Sequence, residues 1–455
     1  MLLRIPSIKH LLLVSLAACA NTAAAQACQP PITGCDVPEL AAVDAILTAF
    51  LCDRDIPGAT LAIMKDDVIV YERGFGHSDQ ARSIPMPHDA MMRIASVSKP
   101  LTAAAIRVLI EESPLTLDTY AFDLNQAGPG VLQLAPFPSL GDERLKEITI
   151  GHLLEHEGGW DRSIAGDLTF RDIAIADAME IESPPGAANT IRYILGQPLQ
   201  TAPGTEYIYS NIGYLVLGLI VEERSRMPVQ DYIQSHVLDP IGVPDSEHQA
   251  GRTFAPDQNA REPYYHSPFV ATNVFDPQGP LVPRPYGAYD VEARAPQGGQ
   301  VTTTRTLVEF LNTRFISGPL IGLPLNDNLS KSWRRNHTGR NSGTEALARQ
   351  RGDGIRYAVL INARSNNPDA NTHALQIRLD LDQLFDAGQI NWPIQPPTCT
   401  NPYDINNDGD LNFFDLVAMI QSLGPCADCQ ACPADLDNNC QVNFFDLAEL
   451  LTAFR

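Results

Sequence analysis

Ser96-Val97-Ser98-Lys99-Pro100-Leu101, running on to Glu112, is the stretch from which this chain is read. From Leu101 to Glu112, Ala104, Val108 and Ile110 lie among good helix formers, which predicts a helix that starts at the serine. Residues three apart on a helix share one face, so the Lys99 amine can lie beside the Ser96 hydroxyl. The positive end of the helix dipole favours both a developing alkoxide and a neutral lysine. A neutral amine can then act as the base that activates the serine. S-x-x-K alone turns up by chance in long chains, so its meaning depends on what flanks it.

Working outward, residues 59–76 alternate around Asp66-Asp67 and read as a hairpin, Ala59 to Met64 and Val68 to Glu72. Helices are expected across Gly213 to Ser225 and Val229 to Leu238. Two strands, Thr344 to Arg349 and Arg356 to Asn362, are joined by the turn Gly352-Asp353-Gly354. Strand pair, helical middle, strand pair is an α+β plan with one sheet built from both chain ends. Within it, Tyr209-Ser210-Asn211 follows Pro203-Gly204-Thr205, and such a triplet on a loop supplies a second acid/base group and an amide. His337-Thr338-Gly339, with Arg340 behind it, precedes the last strands.

These three motifs, in this order, resemble those of class C β-lactamases, penicillin-binding DD-peptidases and related esterases. Ile148-Thr149-Ile150-Gly151-His152-Leu153-Leu154, Gln197-Pro198-Leu199 and Gly298-Gly299-Gln300-Val301-Thr302-Thr303 agree, and the likeness covers about residues 40 to 385. The resemblance implies a DD-peptidase/β-lactamase-like domain, an antiparallel sheet flanked by helices plus a helical domain. It implies that Ser96 is acylated, that Lys99 is the base or its electrostatic partner, and that Tyr209 carries the proton to the leaving group and later activates water. Asn211 would contact the substrate amide or the lysine, and His337, Thr338, Gly339 and Arg340 would line the substrate. The backbone N–H groups of Ser96 and Arg340 would form the oxyanion hole. One departure matters: His337, largely neutral at pH 7, stands where β-lactamases and DD-peptidases commonly have a lysine that can hold a substrate carboxylate. That favours esterases and broader amide hydrolases over penicillins and peptides with a free carboxylate, unless His337 is simply a packed strand residue.

Other chemistries are weighed against this one. His152-Leu153-Leu154-Glu155-His156 matches a zinc H-x-x-E-H pattern whose helical spacing would put both histidines on one face, with no third ligand supported. A G-x-S-x-G elbow is absent, since residue 208 is Ile and Gly339-Arg340-Asn341-Ser342-Gly343 has its serine one place late. A β-lactamase or DD-peptidase acting on D-amino-acid peptides is one alternative. A non-catalytic receptor is another, but it would not need Ser96, Lys99 and Tyr209 together.

The 455 residues suit one large domain and one small one. Arg4 and Lys9, the apolar run Leu11 to Ala18 and Ala25-Gln26-Ala27 read as a secretory signal over 1–27, so the chain is expected to be extracellular or periplasmic. Leu16-Ala17-Ala18-Cys19 offers the alternative of a lipoprotein anchored through Cys19. Eight further cysteines, Cys28, Cys35, Cys52, Cys399, Cys426, Cys429, Cys432 and Cys440, are expected to form disulfides, with zinc at Cys426-x-x-Cys429-x-x-Cys432 the lesser reading. A formal charge of −22 argues against nucleic acid and anionic membranes as partners. The hydrolase domain is placed at 28–391, a proline-rich linker at 392–398 and a small all-α module at 399–455.

That module is an internal repeat, Asp404 to Leu416 and Asp435 to Leu447, sharing Asn-Phe-Phe-Asp-Leu. Asp404, Asn406, Asp408, Asn412 and Asp415 fall at EF-hand loop positions 1, 3, 5, 9 and 12, with Gly409 at 6 and the Asp410 carbonyl at 7. The second loop repeats this with Asp435, Asp437, Asn439, Gln441 at 7, Asn443 and Asp446. Cys440 replaces the turn glycine there, which costs roughly 1–2 kcal/mol in a left-handed conformation unless a disulfide enforces it. The duplication resembles a dockerin, which implies structural Ca2+ and a cohesin-like partner; a solvated acidic loop is the alternative. Phe413-Phe414 and Phe444-Phe445 stand where dockerins present recognition residues, although helix packing is expected for one of each pair.

Overall fold

In the computed structural model, residues 28–325, 335–365, 373–397, 403, 405, 411, 413–426, 432–436 and 439–453 are described. The signal-like segment 1–27 and the loop residues Asp404, Asn406, Asp408, Asp410, Asn412 and Asp437 lie outside them.

The Asp66-Asp67 hairpin is buried on both faces instead of alternating buried and exposed positions, Glu72 and Arg73 included, because it sits inside a sheet covered on both sides. Strands β1 (Ile32–Thr33), β2 (Gly58–Lys65), β3 (Val68–Gly76), β4 (Arg335–Asn341), β5 (Thr344–Gln350) and β6 (Ile355–Ile361) form one antiparallel sheet in the order β1-β3-β2-β6-β5-β4. The two chain ends meet where Ile63 of β2 pairs with Tyr357 of β6. Alternate residues Ala59, Leu61 and Ile63 face a core shared with α1 (Ala41–Arg54) and the C-terminal α5 (His373–Asp386), while Ala62 and Met64 face the larger core on the other side. A disulfide joins Cys28 to Cys52 of α1.

The larger core is built on α2 (Ser98–Glu112), buried on nearly all sides from Ser98 to Leu109, as a helix without a polar face requires. It packs beside α3 (Asn211–Ser225), with α4 (Thr304–Thr313) against the sheet. The backbone of α3 comes so close to the segment Ala295–Gly299 that a Cβ on Gly218 would lie 2.1 Å from Pro296 Cγ, which only glycine tolerates. The expected helix over Val229 to Leu238 is present, with a π-helical turn from Gln234 to Leu238.

One boundary differs from the sequence reading. The long helix begins at Ser98, and Ser96 sits in a 3-10 turn, Ala95–Val97, just ahead of it. Ala95 has φ 45°, a left-handed conformation that cannot continue a right-handed helix.

The 392–398 segment is not a free spacer along its whole length, because Trp392 packs on Phe385 of α5 at 5.4 Å between ring centroids. In the C-terminal part, α6 (Phe413–Gln421) and α7 (Phe444–Ala453) enclose a small core of Ile405, Met419, Ala434, Val442 and Leu450. Cys426 and Cys432 form a disulfide, which removes two of the three thiolates that the zinc reading needs, the third, Cys429, lying outside the described residues. Cys440 is also disulfide-bonded and has φ 70°, the left-handed turn its loop position demands. Phe444 and Phe445 are both 73% exposed, so neither packs as expected for one of them.

Candidate active site

The strained turn at Ala95 holds Ser96 against the edge strand β4. Ile94 donates its N–H to Gln300 O at 3.0 Å, and the Ser98 hydroxyl donates to Ala95 O at 2.7 Å, closing the turn from both sides. Gly339 lies so near that a Cβ there would be 2.1 Å from Ile94 O and 3.0 Å from Ser96 N. The third motif therefore presents backbone, not side chain, to the serine.

Lys99 is fully buried, and burial holds its amine below the usual lysine pKa despite the opposing influence of Tyr209. Its Nζ lies 3.2 Å from Ser96 Oγ, 2.8 Å from Asn211 Oδ1 and 2.5 Å from Gln297 O. The last two atoms can only accept. A neutral amine that donates to them has its lone pair left for the Ser96 O–H. Tyr209 donates its hydroxyl to Ser96 Oγ at 2.7 Å from the other side. The serine oxygen thus stands between a potential base and a potential acid.

Each of these groups is held by another. Asp167 Oδ2 accepts from Asn211 Nδ2 at 2.6 Å, which fixes the amide so that its oxygen faces Lys99. His156 lies against the Tyr209 ring at 4.6 Å between centroids, and the Arg162 guanidinium sits 4.9 Å from that ring's centre. His156 Nδ1 accepts from Ser210 N at 3.1 Å; burial first, then the Lys99 charge, lowers its pKa to about 3. Asp167 and Gln297 were not singled out as site residues by the sequence, and His156 was named there only as a zinc candidate. Gln297 had a signal nearby, in the adjacent Gly298-Gly299.

His337 lines the cleft with its Nδ1 donating to Ile316 O at 3.2 Å, and burial followed by the Lys99 charge lowers its pKa to about 4. It is neutral at pH 7, as the sequence reading required. The cleft has a volume of about 840 Å³ and gathers Ser96, Tyr209, His337, Thr338 and Arg340 on its walls. All eight catalytic and substrate-contact residues expected from the sequence are brought to one place by the fold.

The zinc reading of His152 and His156 fails on geometry. The short helix Ile150–Leu154 ends before the second histidine, which has φ 60°, so the helical spacing does not exist. His152 Nδ1 accepts from Thr149 N at 3.3 Å in a capping box, and its ring packs over Gly204.

In the C-terminal repeat, the position-12 residues Asp415 and Asp446 are fully buried. Their Oδ1 atoms accept from Ile405 N and Leu436 N, each at 2.8 Å, so the two loops close alike. Asp435 Oδ1 accepts from Asn439 N at 3.0 Å and its Oδ2 from Cys440 N at 2.8 Å. These oxygen donors fit a hard cation such as Ca2+. Among the described residues, no three His, Cys, Asp or Glu side chains come together as a metal-holding group.

A profile of the Beta-lactamase family matches residues 43–381. The chain is 31% identical over 221 residues to Esterase EstB of Burkholderia gladioli, covering 48% of this chain and 53% of the relative. It is 25% identical over 239 residues to a Putative D-alanyl-D-alanine carboxypeptidase of Salmonella paratyphi A, covering 49% and 52%. The chain thus spans about half of these curated relatives. Among solved structures, the octameric penicillin-binding protein homologue from Pyrococcus abyssi superposes with a TM-score of 0.53 at 21% identity, over 80% of this chain and 79% of that one. D-amino acid amidase from Ochrobactrum anthropi SV3 gives 0.53 at 18% identity, over 78% and 99%. At these identities the likeness is one of fold.

Proposed function

This chain belongs to the Beta-lactamase family, and from that premise we propose that it is an exported serine hydrolase that cleaves an ester or amide through an acyl-Ser96 intermediate. The observation that carries this reading is Ser96 Oγ, with Lys99 Nζ at 3.2 Å on one side and Tyr209 OH at 2.7 Å on the other. Lys99 takes the serine proton as Oγ attacks the substrate carbonyl. The developing oxyanion is met by the N–H groups of Ser96 and Arg340, each such donor typically lowering the barrier by about 3–4 kcal/mol. Collapse of the tetrahedral intermediate expels the alcohol or amine, which receives its proton through Tyr209. Water, deprotonated by the same pair, then attacks the acyl-enzyme and releases the acid. Asn211 keeps Lys99 aimed, while Thr338, Gly339 and the neutral His337 line the bound substrate.

The C-terminal module is read as a dockerin-like calcium module. Its first loop would hold Ca2+ through Asp404, Asn406, Asp408, Asn412 and Asp415, with the Asp410 carbonyl. The second would use Asp435, Asp437, Asn439, Asn443 and Asp446, with the Gln441 carbonyl. Bound calcium would supply folding free energy to a small, acidic module. The matching closure of the two loops supports this, and the exposed Phe413, Phe444 and Phe445 support docking to a cohesin-like protein. Export is supported by the disulfides.

A panel of neutral esters, amino-acid amides, D-amino-acid peptides and cephalosporins, run with Ser96→Ala, Lys99→Ala and the double variant, tests the reading. Each single variant should lose nearly all turnover, and the double variant little more, because the groups act as a unit. Substantial turnover by Ser96→Ala would remove the nucleophile.

A further inference from the structure

We propose that Arg284, Arg340 and Arg364 form an anion-binding wall of the catalytic cleft, so that the substrate carries a carboxylate beside its scissile ester or amide. This deepens the hydrolase reading and rests on it.

The three arginines come from distant parts of the chain and converge on connected spaces. Arg340 and Arg364 line the cleft that contains Ser96. A second space, also reaching Ser96, is lined by both of them and by Arg284. A third, smaller one opens among the same three guanidinium groups, with Ser342 and Ser365 beside them.

The carboxylate at hand, buried Glu345, is one against three guanidinium groups. In a chain with a formal charge of −22, carboxylates are plentiful, yet among the described residues Arg284 and Arg364 make no ion pair. Arg340 donates Nη2 to Ser365 O, and its Nε approaches Glu345 only to 3.7 Å. That Nε is buried without a hydrogen-bond partner. Arg364 is lowered in pKa by burial, and next by the positive charges of Arg340 and Arg284, which places the three within each other's field. Gathering like charges costs free energy that a structural role does not return; an arriving anion returns it.

The chemistry points to a carboxylate. A guanidinium presents a planar fork that matches two carboxylate oxygens, and here several forks face one space that a substrate on Ser96 must enter. His337, neutral at physiological pH, cannot supply that charge. The arginines therefore take the place a lysine in the third motif would otherwise fill, and the substrate class shifts back towards acids that the histidine alone argued against.

Two matched pairs of esters decide the matter: 4-acetoxybenzoate against 4-methylphenyl acetate, with the charge on the leaving group, and mono-(4-nitrophenyl) adipate against 4-nitrophenyl hexanoate, with the charge on the acyl part. In at least one pair, the wild-type protein should favour the anionic member in kcat/KM, increasingly at low ionic strength. The anionic-to-neutral ratio should fall about tenfold or more in Arg364→Ala, the scale of losing a charged hydrogen bond. The exposed Arg284→Ala, which carries little folding risk, should lower it in the same direction, and Arg364→Lys should keep part of it. Hydrolysis of the neutral esters with the same ratio in wild type and variants overturns the anion wall alone. Failure to hydrolyse any ester, with Ser96 unlabelled by a fluorophosphonate, overturns the hydrolase reading and this inference with it.

Discussion

Gly339→Ala tests how closely β4 must approach the nucleophile. A Cβ at this position would sit 2.1 Å from Ile94 O, whereas carbon and oxygen in contact stand about 3.3 Å apart. The strand must therefore retreat by roughly 1 Å, and it carries the Arg340 N–H with it. A displacement of about 1 Å at reacting groups costs on the order of 10²-fold in rate, and loss of one oxyanion donor costs about 10²–10³. Overpacking should lower stability by only about 1–3 kcal/mol, leaving a folded protein. Steady-state kinetics on a neutral ester, paired with thermal unfolding, separates the two effects: kcat should drop about a hundredfold while the variant remains folded at the assay temperature. Gly128→Ala, where a Cβ would meet nothing nearer than 3.5 Å, is the control and should leave kcat unchanged. A Gly339→Ala enzyme with wild-type kcat would refute the placement of the oxyanion site on this strand.

The remaining predictions concern protons and calcium. Because Lys99 must be neutral to act and its pKa lies below the usual lysine value, kcat/KM for a neutral ester should rise with pH and level off below pH 10.5; a flat profile would deny Lys99 the role of base. Stability should fall in acid. Burial lowers His248 to about 4, so below its ordinary pKa of about 6.5 the unfolded chain binds a proton that the folded one refuses. Stability is then highest above pH 6.5 and is lost as pH falls towards 4, by on the order of 3 kcal/mol for this residue. Urea unfolding across that range should lose this slope in His248→Gln, and an identical slope would contradict the cause. Chelation should speed hydrogen exchange in α6 and α7 yet leave ester hydrolysis intact; a proportionate loss of hydrolysis would contradict the structural role of calcium.

What the sequence could reveal follows from how locally each feature is encoded. Ser96 and Lys99 are legible because three residues of spacing bring them together whatever the rest of the chain does. The sheet is legible because β2, β3, β5 and β6 carry their own strand patterns, although their burial on both faces, polar residues such as Glu72, Arg73, Glu345 and Arg349 included, is not. Cys440 was legible as a strained turn because the loop positions fix which residue must be left-handed, and it has φ 70°. Asp167, Gln297 and His156 were not, since each acts through a contact made across the fold. Gln297 contributes only its backbone carbonyl, which any residue could present. The helix start was misplaced because Ala95 adopts a conformation its side chain does not announce. The arginine wall was equally hidden, as Arg284 and Arg364 are far apart in sequence and only tertiary folding sets them beside Arg340.

The most direct measurement is the identity of the acylated residue. Brief exposure of the purified protein to a slowly deacylating ester, followed by acid quench, proteolysis and mass spectrometry, should place the acyl group on Ser96 in stoichiometric amount. The adduct should disappear in Ser96→Ala and form far more slowly in Lys99→Ala. An acyl group found on another residue, or equal labelling of the Ser96→Ala protein, would contradict Ser96 as the nucleophile.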